Sequence, residues 1–355
     1  MTVSIIIPVY NTKFDDLAAC LDSIRNQTFR DFEVILVDDG SGEEYRKELD
    51  TLMDCGVRIS VLHKDKEGVS SARNFGIAHA VGKYILFIDG DDVLTPWMLE
   101  SGTTAIEKYG CDVIIGKIRE TNVRPLDFPE RNNEPSIERI DSARQAEELK
   151  CHIFAKSCAR WQRDDEGWEF NAEGCWAHLM RADIARSFPF MPGVSIGEDT
   201  IWALSLADHA SEIKIGLLSD DWYYYIQNDY SVLHQYRSEL AERLTAPVRI
   251  LDNIYGRESG AVYEAYVWWV LMKLKQICFR AFLPKENTAT IFQKNEALSR
   301  LVHMEPWENI IMRKRKLPWK TALKFKLYDK NLMLYLYAAA EWLREKTRRK
   351  SLYEN

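Results

Sequence analysis

What most constrains this chain is a series of short, apolar, β-branched runs, each separated from the next by one helix-length of sequence. Residues 3–9 read VSIIIPV and residues 32–37 read FEVILV. Neither run alternates strictly between apolar and polar positions, as a half-exposed strand would, so both are expected to be buried on two faces. Between them, over residues 14–26, Leu17, Ala18, Cys20, Leu21 and Ile24 recur at helical spacing. The pattern repeats with a third strand at 57–62, a helix at 70–80 and a fourth strand, YILFI, at 84–88. Such alternation predicts an α/β domain whose open, mostly parallel sheet carries helices on both faces. Ligands bind such sheets beyond the carboxyl ends of the strands. Three of those ends are polar: Tyr10-Asn11, Asp38-Asp39-Gly40-Ser41 and Asp89-Gly90-Asp91-Asp92. They are expected to face one crevice.

Beyond Asp112 the pattern weakens. Residues 111–118 read as a further strand and residues 119–140, charged and containing proline, as an excursion. Residues 262–282 are apolar around much of a helical circumference and are expected to be packed. Seven cysteines, odd in number and never spaced C-x-x-C, suggest neither a disulfide framework nor a zinc site and fit a reducing compartment. The N-terminus lacks a positive region ahead of its short apolar run, and no stretch approaches the ~20 apolar residues of a spanning helix. The expected location is therefore cytoplasmic. Residues 301–355 hold 13 Lys and Arg against 6 Asp and Glu, so the remainder of this chain of formal charge -7 is acidic. An acidic body argues against nucleic acid as a partner. The absence of G-x-G-x-x-G argues against a dinucleotide oxidoreductase.

The strand ends carry the chemistry. Carboxylates spaced D-x-D suit a hard divalent cation, Mn²⁺ or Mg²⁺, which takes one or two carboxylates together with substrate phosphates and water. Gly90 lets the backbone turn between them. Asp and Gly are also ordinary turn residues, so the string by itself is equally a turn. Asp39 fits either an Asx turn or a buried acceptor for a base N–H, with the Tyr10 ring covering the base. The segment Gly68-Val69-Ser70-Ser71-Ala72-Arg73-Asn74 opens a helix whose free N–H groups and Arg73 suit an anion, or which Ser70 simply caps.

Taken together, VSIIIPVYN at 3–11, Gln27-Thr28-Phe29, FEVILVDDGS, GVSSARNFGI at 68–77, FIDGDD at 87–92 and Gly197-Glu198-Asp199 resemble family 2 of the inverting glycosyltransferases, bacterial surface-polysaccharide type, with the GT-A nucleotide-binding fold. The resemblance covers roughly the first 230 residues. It implies a catalytic domain at 1–235, with a donor half at 1–118 and an acceptor half at 119–235. A helical C-terminal region follows at 236–355. It implies that Pro8, Tyr10, Asp39 and Arg73 hold the nucleoside of a UDP-sugar, that Asp89 and Asp91 hold ribose and metal, and that Val9, Gly90 and Asp92 complete the donor site. Asp199, beside Glu198, would be the catalytic base. A positioned carboxylate is what one inverting displacement needs to take the acceptor proton, although an acidic first turn also suits the helix dipole.

Trp176 and His178 match the acceptor-side segment, where relatives usually carry a basic residue at position 178. His234 falls where some relatives place a late metal contact. Trp161 and Trp168 suit sugar stacking or core packing alike. Neither Q-x-x-R-W nor spanning helices are present, which predicts a single transfer per encounter, to a glycan or a lipid-linked acceptor. A non-catalytic nucleotide-sugar or glycan binding protein retaining the fold is the alternative. A glycosidase has no use for the nucleoside-side motifs. Finally, the basic tail 313–355, with Arg313-Lys314-Arg315-Lys316, Lys320, Lys324 and Lys326 ahead of an apolar stretch at 332–343, suggests contact with an anionic membrane surface at the inner face of the plasma membrane. It fits equally a solvated helix packed on the enzyme.

Overall fold

The computed structural model describes residues 1–54, 57–125, 127–131, 134–155, 168–227, 239–313, 317 and 319–353. The chain forms two compact units, Met1–Asn228 and Asp229–Asn355. The first is built on one ten-stranded sheet. Its strands are β1 (Val3–Val9), β2 (Phe32–Asp39), β3 (Ile59–Lys64), β4 (Tyr84–Phe87), β5 (Val93–Leu94), β6 (Val113–Thr121), β7 (Ile137–Arg139), β8 (Trp168–Phe170), β9 (His178–Arg181) and β10 (Ile215–Ile226). Its helices are α1 (Phe14–Arg25), α2 (Glu43–Asp50), α3 (Val69–His79), α4 (Met98–Tyr109), α5 (Ala143–Ala155), α6 (Ala182–Ser187) and α7 (Glu198–Asp208).

The sheet order is β3-β2-β1-β4-β9-β6-β10-β5. β1, β2, β3 and β4 are mutually parallel, as are β6 and β10. The short β9 enters antiparallel between β4 and β6 and joins the two parallel groups. At four residues, HLMR, it is too short to carry a periodic signal. The excursion expected at 119–140 is narrower than its composition suggests: β6 continues to Thr121 on β10, and β7 pairs with β10 at Gly216 to Leu218.

Packing explains why the first motifs lie where they do. α1 turns Leu17, Cys20, Leu21 and Ile24 into the core against Val9, Leu36 and Ile88. Just past its end the buried Gln27 amide donates to the carbonyls of Ser23 and Thr95 and accepts from the Leu99 N–H, tying α1 to the start of α4. α3 lies so close on β1 that a Cβ at Gly76 would fall 2.4 Å from Ile6 Cγ2. Gly116, in β6, lies under the fully buried Trp222 of β10, and a Cβ there would come within 2.2 Å of the indole. Gly116→Ala is accordingly expected to destabilise the unit by about 1–3 kcal/mol or more through overpacking. Urea unfolding followed at the buried tryptophans would check this.

The second unit contains α8 (Leu240–Tyr255), α9 (Gly260–Ile277), α10 (Ile291–Val302), α11 (Trp307–Met312), α12 (Trp319–Asp329) and α13 (Met333–Tyr353). α9 is the packed helix read at 262–282, and it runs into a π-helical turn, Cys278–Phe282. Part of the basic tail packs on its own unit. Arg313 makes a bidentate ion pair with Asp252 at 2.9 Å on both nitrogens, and Phe325 and Tyr328 are buried. Residues 314–316 lie outside those described. Among the described residues no helix is long and apolar enough to cross a membrane. Cys20, Cys111, Cys175 and Cys278 are free thiols.

Candidate functional site

The carboxyl ends of β1, β2 and β4 converge because these strands are adjacent and parallel. At the end of β1, Pro8 is half-buried, Val9 is buried and Tyr10 is 46% exposed. Lys66 Nζ lies 3.7 Å from the Tyr10 ring centroid, a cation–π contact on one face of that exposed ring. The Asn11 N–H donates to Ser41 Oγ at 2.9 Å, joining the first two strand ends.

The two aspartates closing β2 do different things. Asp38 is enclosed, and burial pushes its pKa up. Hydrogen bonds from Ser41, His63 and Arg46 outweigh that and hold it below the usual carboxylate range. Asp39 accepts from Lys64 Nζ at 2.9 Å and from the N–H groups of Glu67 and Gly68 at 3.0 and 2.7 Å. It therefore clamps the turn that delivers α3. Gly68 is the N-cap of α3 with no side-chain cap, and Ser70 Oγ is buried without a partner among the described residues, so Ser70 does not cap the helix.

Arg73 organises the other half. It is 2% exposed, and its guanidinium reaches Asp89 Oδ1 at 3.0 Å and Glu198 Oε1 at 3.1 Å. Two carboxylates that share one guanidinium are neighbours, so the D-x-D turn and the start of α7 stand side by side. Asp89 Oδ2 also accepts from Trp176 Nε1 at 2.7 Å, and the Trp176 ring meets Tyr225 at 5.4 Å between centroids. Asp91 and Asp199 are half-buried. Asp199 Oδ1 accepts from the Thr200 N–H at 2.7 Å, at the first turn of α7. Gly90 is buried, but its φ is not positive and a Cβ there would meet Leu17, Thr12 and Val9 at an ordinary 3.5 Å, so the turn does not depend on glycine as its sequence suggested.

Asp92 and His178 sit behind this surface. Asp92 accepts from Tyr223 Oη at 2.6 Å and from the Ile226 N–H at 2.7 Å, and so ties the turn to β10. Burial, with Asp91 and Asp89 close by, raises its pKa well above the ordinary value. His178 is enclosed beside Trp202, and its Nδ1–H donates to the Trp176 carbonyl at 2.6 Å. Burial lowers its pKa to about 4, so the ring is neutral. His234 and Trp161 lie outside the described residues. Lys64 and Lys66 were not singled out by sequence; their one signal was two lysines directly ahead of the Gly68 segment.

Residues 4–165 match the family model described as Glycosyl transferase family 2. Over that segment the chain is similar to glycosyl transferase family 2. It is 38% identical over 116 residues to the glycosyltransferase GlyG of Streptococcus pneumoniae, covering 32% of this chain and 38% of that protein. It is 28% identical over 246 residues to the uncharacterized glycosyltransferase EpsJ of Bacillus subtilis, covering 68% and 66% respectively. The chain thus spans less than two thirds of either relative. Among solved structures, S. aureus TarS 1-349 in complex with UDP-GlcNAc aligns with a TM-score of 0.60 at 17% identity, covering 95% of this chain and 92% of that one. This likeness establishes a GT-A-like fold with a helical C-terminal region.

The family's use of a divalent cation can be tested on the donor set. Among the described residues no group of three or more His, Cys, Asp or Glu is placed to hold a metal. The crevice does concentrate negative charge. Besides burial, Asp92, Asp91 and Asp89 raise the Cys20 thiol, and Asp92, Asp89 and Asp91 raise the Tyr225 phenol. Asp89 already meets Arg73 through Oδ1 and Trp176 through Oδ2, so the described residues show charge at the D-x-D turn but no formed metal site.

Glu198 carries the clearest titration in the cleft. Burial and the adjacent Asp199 raise its pKa from 4.5 to about 7, while Arg73 acts in the opposite direction. A folded-state pKa raised in this way gives stability that is complete below the unfolded value and lost as pH climbs through the folded one. As pH rises from 4.5 towards 7 the protein is expected to lose stability that Glu198→Gln does not lose. Urea midpoints of the two proteins across that range would show it.

Proposed function

We propose that this chain is a glycosyltransferase that moves one hexose or N-acetylhexosamine from a UDP-sugar to a hydroxyl of a glycan or lipid-linked acceptor, in one inverting displacement. The observation that carries the reading is the Arg73 bridge, which sets the D-x-D turn beside Glu198-Asp199. A donor diphosphate and an acceptor hydroxyl would thereby meet in one cleft.

In this reading the exposed Tyr10 ring receives the base once Lys66 swings from its face toward the diphosphate. Asp39, through Gly68 and Glu67, holds the wall of the nucleoside pocket. Asp199 accepts the proton of the acceptor hydroxyl as its oxygen bonds to C1 and the C1–O bond to the diphosphate breaks, releasing UDP. A divalent cation held by Asp91 and Asp89 would neutralise charge on the leaving diphosphate. Trp176, fixed by Asp89, presents its ring for the sugar. The TarS complex with UDP-GlcNAc supports the choice of a UDP-sugar donor.

The test is a screen of nucleotide sugars with Mn²⁺ or Mg²⁺, reading released nucleotide. UDP release from one donor is expected to fall by about 10²-fold or more in Asp91→Ala. Donor binding without turnover under any acceptor condition would assign the protein to nucleotide-sugar binding instead. No nucleotide binding at all would overturn the reading.

A further inference from the structure

Within the second unit, one surface departs from what a water-facing helix pair should carry. α9 is buried around most of its circumference but leaves a single exposed stripe, and on it stand Trp268, 44% exposed, and Met272 one turn later. α12 packs beside α9, and the Lys324 ammonium lies 4.7 Å over the Trp268 ring. One turn back along α12 stands Lys320. Leu323 and Trp319, the latter 70% exposed, form the adjoining row at the same i, i+4 spacing. The buried side of α12, Thr321, Phe325 and Tyr328, faces its own unit, so this apolar row is not part of that core.

We propose that this face, formed by Trp268 and Met272 of α9 with Trp319, Leu323, Lys320 and Lys324 of α12, docks the protein on an anionic membrane surface. Charge and residue type together select that occupant. Protein interfaces deplete lysine at their centre, whereas here the lysines stand between the exposed aromatic rings. Tryptophan with lysine is the pairing suited to the headgroup layer, where indole rings sit at the interface and ammonium groups meet lipid phosphates. α12 carries three lysines and one carboxylate, Asp329, at its far end. Glu264, a turn before Trp268 on the exposed stripe of α9, marks the edge of the patch. No described helix can span the bilayer, so the contact is peripheral. The proposal places the contact on a packed face, not on the run at 313–316, where Arg313 is already paired with Asp252. It stands whether or not sugar transfer is found.

The experiment is flotation of the full chain with vesicles of phosphatidylcholine alone or mixed with phosphatidylglycerol. Recovery is expected with the mixed vesicles only and should fall with added salt. Lys320→Ser/Lys324→Ser should weaken it about 30-fold, at roughly one kcal/mol per lysine. Trp268→Ser/Trp319→Ser should weaken it further without changing circular dichroism. Equal recovery on neutral vesicles would overturn the proposal. So would undiminished binding by both double variants, loss only in Arg348→Ser/Arg349→Ser/Lys350→Ser, or a concentration-dependent dimer that the tryptophan variant abolishes.

Discussion

Asp199→Asn is expected to lower turnover by about 10²–10⁴-fold while leaving affinity for the donor nearly unchanged. The size follows from the role. An amide cannot take the acceptor proton, so in the proposed reaction the attacking hydroxyl loses its base. The isosteric side chain still accepts from the Thr200 N–H and leaves α7 in place. Glu198 is the poorer candidate, because its carboxylate is held by Arg73 at 3.1 Å. Turnover at saturating donor, paired with calorimetric donor titration, separates the two effects. Equal losses in turnover and in donor affinity would assign Asp199 to donor binding and remove the base from the mechanism.

Arg73→Met is expected to cost about 3–5 kcal/mol of the first unit's stability, because it strips the shared cation from two largely buried carboxylates. Asp89 would keep the Trp176 indole, but Glu198 would face Asp89 and Asp199 with no positive charge between them. Lysine is not an adequate replacement, since one ammonium cannot reproduce the two-armed reach of the guanidinium. If the cost is charge repulsion, adding Glu198→Gln to Arg73→Met should recover part of it, giving a double variant more stable than the sum of the singles. Hydrogen exchange of the β1 and β4 amides would report on this unit without interference from the second. Strict additivity would place the cost in lost packing against Phe190, whose ring lies 5.1 Å from the guanidinium.

What the sequence by itself determined is local. Continuous β-branched runs specify buried strands, periodic apolar residues specify the helices against them, and parallel neighbours carry Tyr10, Asp39 and Asp89 to one edge; β1 spans the very residues its apolar run marks. What spacing cannot encode is the partner of a polar side chain. Arg73 reads as a free cation at a helix start, yet its carboxylates come from 16 and 125 residues further along the chain. Asp92 reads as part of the donor-side D-G-D-D string until Tyr223, 131 residues away, takes it into the core. β9 is too short to show a period and exists because β4 and β6 leave an edge for it to complete. The tertiary structure decided these points because a buried polar group must find its hydrogen bonds wherever the chain happens to bring them, and only folding brings distant residues within reach.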